Sequence, residues 1–159
     1  MAAEADGLVD CAVSNAARGL VDKELVRRGD PALVLHALDS PDPSLRQVAF
    51  GAIGARRLVG TVPRLLELLG SDDVLVRDGA IGALVALREP RAVKPLTALA
   101  SFNDLDMMRR VIDAVGAIGG EEAREYLELV AGGHELPAVR ELATAALDRL
   151  ARRARDGGR

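Results

Sequence analysis

The sequence predicts an all-α protein folded as an α-solenoid, a superhelix of about four and a half antiparallel helix pairs. Three observations support this prediction. The chain repeats itself with a period of 31 residues, each copy carries apolar residues at helical spacing, and nearly all of the apolar residues are Ala, Leu and Val. Hydrophobic residues make up 49% of the chain but aromatic residues only 2%. Small apolar side chains let helices pack closely, and a repeat of this length is typical of stacked helical units.

The repeat appears when residues 45–69 are laid over residues 76–100, which places Arg46 on Arg77 and Gly51 on Gly82. A third copy follows at residues 107–131, and a half-length fourth copy begins at Val139 after a slip of one residue. We therefore predict one domain at residues 1–152 and a basic tail at 153–159 that we expect to be disordered. The predicted segments of the domain are a degenerate N-terminal capping unit at 1–38, full repeats at 39–69, 70–100 and 101–132, and a C-terminal half repeat at 133–152.

Each copy contains two helical stripes. The second copy begins with Val76, Ala80, Ala83 and Leu84, which lie on one face of a helix. A shorter stripe follows in each copy, so a unit should hold a long first helix and a shorter second helix. Start signals occur at Asp42-Pro43, Ser71–Asp73 and Asn103-Asp104, and stop signals at Gly60, Glu89-Pro90 and Gly119-Gly120. Residues 5–28 are patterned for helix but leave open whether they form one helix or two.

Charge and cysteine content limit the possible partners. The chain carries 24 acidic and 21 basic residues, a net charge of −3, which disfavours binding to nucleic acid through phosphate neutralisation. Cys11 is the single cysteine, so an intrachain disulfide and a multi-cysteine metal site are both excluded. The first residues are acidic where a signal peptide would be basic, and charged residues interrupt every apolar run. We expect a cytoplasmic protein without a membrane span.

The second copy carries a family resemblance. Its segments DVLVRDGAIGALVAL and RAVKPLTAL resemble the HEAT-like repeats first described in phycobilisome lyases, and the resemblance covers about residues 30–150. It implies an α-solenoid whose second helices line a concave face. That family includes bilin lyases, a di-iron hydroxylase of lysine residues, DNA-repair glycosylases and adaptors without activity, so the fold alone does not select a function.

The resemblance also implies a role for the repeated arginines. In such repeats this arginine typically pairs with an Asp of the same or the adjacent unit and ties neighbouring units together. The corresponding arginines are Arg46, Arg77 and Arg140, and the predicted Asp partners are Asp42, Asp73 and Asp104, with Asp72 as an alternative to Asp73. Met108 occupies the aligned position in the third unit, so we expect an interruption of the ladder there.

Catalytic chemistry finds little support in the sequence. A di-iron hydroxylase would need several His-Glu pairs, and the chain has one, His134-Glu135, which we interpret as a helix start. No Ser-His-Asp or Cys-His arrangement stands out. We therefore predict no enzymatic activity, no metal and no cofactor.

The predicted binding surface is the concave face of the second helices. Its candidate residues are Arg64, Glu67, Arg91, Lys94, Glu122, Glu125, Tyr126 and Glu128. Their charge changes from basic on the first two helices to acidic on the third. Two interpretations stay open: a groove that orients a partner segment of opposite polarity, or a solvated face whose charges pair along each helix.

These features predict a scaffold or adaptor that binds another protein of unknown identity on the concave face. A bilin-lyase-like subunit is the first alternative, and a nucleic-acid-binding module is the second. The sequence leaves the partner, the pathway and the oligomeric state open.

Overall fold

The computed structural model describes residues 22–100 and 104–156, and the regular elements of these residues are helices. In chain order they are α1 (described part 22–28), α2 (Pro31–Leu38), α3 (Pro43–Arg56), α4 (Val62–Leu68), α5 (Val74–Leu87), α6 (Val93–Leu99), α7 (Leu105–Ile118), α8 (Glu121–Gly133) and α9 (Pro137–Asp156). Short 3-10 helices at Val59–Thr61 and Pro90–Ala92 precede α4 and α6. The prediction of an all-α fold is confirmed. Cys11 and most of the undecided stretch 5–28 lie outside the described residues.

The chain forms two compact units, the first ending at Thr61 and the second beginning at Val62. In the first unit, α2 packs against α3 around buried Val34, Leu38 and Ile53. Asp30 caps α2, because its carboxylate accepts the backbone N–H groups of Ala32 and Leu33 at 3.0 and 3.1 Å. The prediction of a single domain over residues 1–152 stays a prediction.

The second unit shows the stacking that defines a solenoid. The first helices α5, α7 and α9 pack in succession, α6 packs against α7, and α6 also contacts α8. Each layer therefore contacts its neighbour, as the 31-residue period predicts. The stripe residues Ala80 and Leu84 are buried as predicted, and Val111 and Val115 are buried at the equivalent positions of α7.

Capping explains where the first helices begin and end. Asp73 accepts the N–H groups of Leu75 and Val76, and Asp104 accepts that of Met107, as the start signals predict. The prediction of Gly60 as a stop was wrong, because α3 ends at Arg56 with left-handed Arg57 after it.

Arg57 and Arg88 end their helices in the same way. Each has a φ of 53°, and the N–H of the following residue returns to a carbonyl one helical turn earlier, from Leu58 to Ile53 and from Glu89 to Leu84. This is the hydrogen-bond pattern of a Schellman motif, with arginine at the position that glycine usually takes.

The arginines of the predicted ladder bond to the backbone. Arg77 donates through Nη1 to the carbonyl of Ser71 at 2.9 Å, and Arg140 donates through Nη1 to the carbonyls of His134 at 2.6 Å and Glu135 at 3.0 Å. In the described chain neither arginine forms the predicted pair with an Asp, so that part of the ladder was wrong. Side chains on a helix lean toward its N-terminus, which brings each guanidinium to the last carbonyls before its own helix.

The first unit uses the same arrangement. Arg46 donates through Nη1 to the carbonyls of Ser40 at 2.9 Å and Pro41 at 3.3 Å. The acceptor lies six residues before the arginine in all three units, so the repeated arginine holds a turn. The three predicted Asp partners accept backbone N–H groups at the start of their own helices; they are Asp42, Asp73 and Asp104.

Ion pairs between first helices come from other residues. Arg110 of α7 contacts Asp78 of α5 at 2.6 Å, and Arg149 of α9 contacts Asp113 of α7 at 2.8 Å. Both pairs are half exposed, so each contributes on the order of 0.5 kcal/mol. These pairs connect neighbouring repeats, which is the role that the sequence assigned to the repeated arginines.

The C-terminal end differs from the prediction. Helix α9 continues to Asp156, so residues 153–156 are helical and the prediction of a disordered tail from residue 153 was wrong there. Arg153 donates to the carbonyls of Gly116 and Ala117 at 3.3 and 3.2 Å, which ties the end of α9 to the last turn of α7. The remainder of the tail lies outside the described residues. Among residues 22–100 and 104–156, no helix has the length and apolarity that crossing a membrane requires.

Candidate functional site

The predicted binding residues lie on or next to the second helices α4, α6 and α8, all of them in the second unit. They occur where the aligned repeats differ, because the shared positions of these helices are the buried ones, such as Leu65, Leu96 and Leu127. The geometry of each helix then decides which of the predicted charges is available to a partner.

The charges of α4 compensate each other. Arg64 Nη1 lies 2.6 Å from Glu67 Oε2, one helical turn apart on the same helix. The pair is partly exposed, and such pairs contribute little to stability. On α4 the second interpretation of the sequence, a solvated face with paired charges, therefore describes what is observed.

Arg91 is also compensated. Its Nε donates to Glu89 Oε1 at 2.8 Å and its Nη2 donates to Glu89 Oε2 at 3.2 Å, a bidentate contact before α6. The side chain of Glu89 is only 11% exposed, and the hydrogen bond from Arg91 holds the pKa of its carboxyl below the ordinary range. Lys94, one turn further along, is exposed and forms no ion pair with any described residue.

The acidic residues of α8 separate into two groups. Arg124 pairs with Glu121 and, at 3.9 Å, with Glu128, and Glu121 is the main cause of the raised pKa of Arg124. These three residues line a cavity between α8 and α9, away from Tyr126. Glu122 and Glu125 are exposed and form no ion pair with a described residue, although Glu125 also contributes to the raised pKa of Arg124 through its charge.

Tyr126 borders a cavity of about 320 Å³, which we call the Tyr126 pocket. Its lining residues are Thr97, Ala100, Met108, Tyr126, Leu129, Val130, Gly133 and His134. The Tyr126 hydroxyl donates to Met108 Sδ at 3.9 Å, and partial burial raises the pKa of the Tyr126 phenol. Glu128 does not line this pocket, so the structure separates two residues that the sequence placed on one surface.

His134 forms one edge of the Tyr126 pocket and is 9% exposed. Its Nδ1 accepts the N–H of Leu136 at 3.1 Å, and its carbonyl accepts Arg140. Ser40 and Ser71 occupy the equivalent turns of the earlier units, and the hydroxyl of each accepts a backbone N–H two residues later. His134 therefore replaces a turn serine before α9. Across the described ranges, no cluster of His, Cys, Asp and Glu is arranged to hold a metal ion.

Leu129 is the residue of the pocket that the sequence reasoning missed. Its exposure of 73% is high for a leucine on a helix that packs on both sides. The repeat alignment contains the signal, because the equivalent positions are Ala98 and Glu67. Met108 was noticed as a break in the arginine series, and the structure places it in the wall of the pocket.

A comparison with protein-family models bears on the fold that carries this site. The model for HEAT repeats matches residues 31–109. This chain is a HEAT-repeat protein. The match runs from α2 into α7, and α8, which carries Tyr126 and Leu129, lies beyond it.

HEAT repeats commonly mediate contacts between proteins, and solenoids of this family are typically not catalysts. No curated protein matches the chain of this HEAT-repeat protein. The family therefore accounts for the stacked helices, and the particular residues of α6 and α8 must carry any argument about the partner.

Proposed function

We propose that this HEAT-repeat protein is a non-catalytic interaction module that binds a segment of another protein across its second helices. The observation that carries the proposal is the distribution of charged side chains that form no ion pair within 4 Å in the described part of the chain. Lys94 on α6 and the pair Glu122 and Glu125 on α8 lack ion-pair partners among the described residues, whereas Arg64 and Arg91 have theirs. Charges of opposite sign on adjacent helices orient a partner and speed its association.

The two alternatives from the sequence have no such observation behind them. The charged residues of α6 and α8 that form no ion pair with a described residue are one cation and two anions, which disfavours binding to a phosphate backbone. The Tyr126 pocket, at about 320 Å³, is at the lower end of the range for small-molecule sites, whereas a bilin is a long chromophore. The proposed location is the cytoplasm, which agrees with a single cysteine in the chain.

The test is affinity capture from native lysate with two matched variants of α8. Glu125→Lys reverses a charge on the proposed surface, and Glu128→Lys makes the same change one turn later, at a residue that lines the cavity between α8 and α9. We expect Glu125→Lys to lower recovery of the captured protein about tenfold and Glu128→Lys to leave it within about twofold, because rim charges act mainly on association. Thermal denaturation of both variants checks that they fold.

Equal recovery by wild type and Glu125→Lys would reject the surface. Loss of recovery in both variants would also reject it, because the effect would then follow net charge and not position. Recovery that disappears on nuclease treatment would replace the proposal with the nucleic-acid alternative.

A further inference from the structure

We propose that the Tyr126 pocket receives one apolar side chain of the bound segment, and that this side chain is flanked by an acidic residue on the α6 side and a basic residue on the α8 side. The inference rests on the proposed function and makes it more specific. It identifies the partner by its chemistry: an apolar anchor of about leucine size within a short bipolar sequence.

The pocket has the size and lining that an anchor requires. At about 320 Å³ it lies near the lower limit of protein ligand sites, which suits one side chain better than a whole cofactor. Leu129 is 73% exposed, whereas Met108 and Val130, which also line the pocket, are only 4% and 8% exposed. An apolar side chain placed here would remove Leu129 from water and contact a surface that is already packed, and hot spots of binding have this character.

The polar groups of the pocket fit a peptide. The Tyr126 hydroxyl donates to a sulfur, a weak acceptor, and retains its oxygen lone pairs for a backbone N–H of the guest. His134 is held in place by the N–H of Leu136, so this wall of the pocket is fixed before a partner arrives. A fixed site avoids part of the ordering cost of association.

Charge gives the segment its direction. Lys94 lies one turn before Thr97 on α6, and Glu122 and Glu125 lie one turn before Tyr126 and Leu129 on α8, so each helix carries charge of one sign one turn from its pocket-lining residues. Packed helices lie about 8–10 Å apart, which an extended chain spans in about three residues. A guest with its acidic and basic residues about three positions apart can therefore reach both helices at once, and only in one direction.

The test is selection of a random peptide display library on the full chain, with the Leu129→Lys chain as the counter-selection. We expect the enriched peptides to share an apolar residue with an acidic residue on one side and a basic residue on the other. Enrichment of peptides without that order, or no enrichment over the counter-selection, would overturn the inference.

Binding of the selected peptides, resynthesised without Tyr or Trp, is then measured by intrinsic fluorescence. The chain has one tyrosine and no tryptophan, so its emission reports on Tyr126 alone. We expect Leu129→Lys to weaken binding at least tenfold, whereas Leu75→Lys, a change at a leucine that is 66% exposed on α5 and outside the pocket, should leave it within about twofold.

The outcomes separate the two proposals. Peptides that lose binding with Lys94→Glu but not with Leu129→Lys would overturn the anchor and leave the groove function in place. Peptides indifferent to both changes would overturn both. Peptides that depend on Leu129 but bind equally well in reversed sequence order would overturn the bipolar arrangement, since direction is its consequence.

Discussion

Gly116 lies in a close contact between the first helices of the last two layers, and replacing it with alanine tests the stacking. A Cβ on Gly116 of α7 would lie 3.0 Å from Ala146 Cβ of α9 and 3.9 Å from Leu127 Cδ1 of α8. Gly82 of α5 offers the matched change, because a Cβ there meets no atom within 4 Å. The same substitution is thus made once in a tight contact and once in open space, on two helices of 14 residues each.

The expected magnitudes follow from two opposing terms. Alanine in place of glycine within a helix gains about 1 kcal/mol, and Gly82→Ala should show this gain. At Gly116 the new methyl overpacks the contact, at a cost of about 1–3 kcal/mol. Ala146 cannot relieve the contact by a rotamer change, because its Cβ is fixed to the backbone of α9. We expect a net loss of about 1 kcal/mol for Gly116→Ala and therefore a difference of about 2 kcal/mol between the variants.

The assay is thermal and urea denaturation followed by circular dichroism. For a chain of 159 residues each kcal/mol corresponds to about 2–4 °C, so Gly82→Ala should raise Tm by about 3 °C and Gly116→Ala should lower it by a similar amount. The double variant Gly116→Ala, Ala146→Gly should be more stable than the sum of the two single changes predicts. This difference is the coupling energy of the contact between the two positions.

Equal stabilisation by Gly116→Ala and Gly82→Ala would contradict the close contact, because a Cβ at position 116 could then not lie 3.0 Å from Ala146 Cβ. A double-mutant coupling near zero would lead to the same conclusion, because two alanines that do not touch contribute independently.

Three further predictions concern the charged residues. Arg77→Ala should lower the free energy of unfolding by about 1–2 kcal/mol, because the carbonyl of Ser71 loses a charged donor. Partner capture should stay unchanged. Lost capture with unchanged stability would contradict a structural role for Arg77. A double-mutant cycle on Asp78 and Arg110 should give about 0.5 kcal/mol that shrinks in 1 M salt, and a coupling insensitive to salt would contradict an exposed pair. The hydrogen bond from Arg91 lowers the pKa of Glu89, so the charged carboxylate stabilises the fold above the unfolded pKa of about 4.3, and this stabilisation is lost as the pH falls through the lower folded pKa. Glu89→Gln should therefore flatten the acid limb of a stability–pH curve, and an unaltered curve would contradict the assignment.

The repeat made most of the fold predictable. A period of 31 residues with apolar positions at helical spacing identified the first helices, and the Asp caps located their starts within the described chain. The C-terminal ends of α3 and α5 were harder to predict, because Arg57 and Arg88 adopt the left-handed conformation that glycine usually adopts at this position. The left-handed conformation of these two arginines accompanies the turn that follows each helix, and a helix-propensity scale does not describe such turns.

The site was less predictable than the fold, and the reason is pairing. Sequence spacing places Arg64, Arg91 and Lys94 on one surface and leaves open whether they are paired, and the structure pairs two of them, with Glu67 and Glu89. A pair such as Arg91 and Glu89 depends on the turn before a helix, where periodicity gives no guidance. Charge gradients read from helical spacing therefore overestimate the charge that a partner meets.

The position of the repeated arginine connects the fold with the proposed function. In the units of Arg46, Arg77 and Arg140 a guanidinium holds the turn six residues earlier. In the third unit Met108 stands at this position, and its sulfur accepts the Tyr126 hydroxyl from within the pocket wall. A methionine has no donor for a carbonyl, but its flexible apolar side chain suits a surface that must fit a guest. The third repeat thus gives up a structural contact that the other units retain, at the same place where the chain exposes Leu129 and forms an apolar pocket. Since Arg46, Arg77 and Arg140 show that an arginine fits this position in the other units, stacking alone does not account for the methionine, and the proposed binding of a guest at the Tyr126 pocket would account for it.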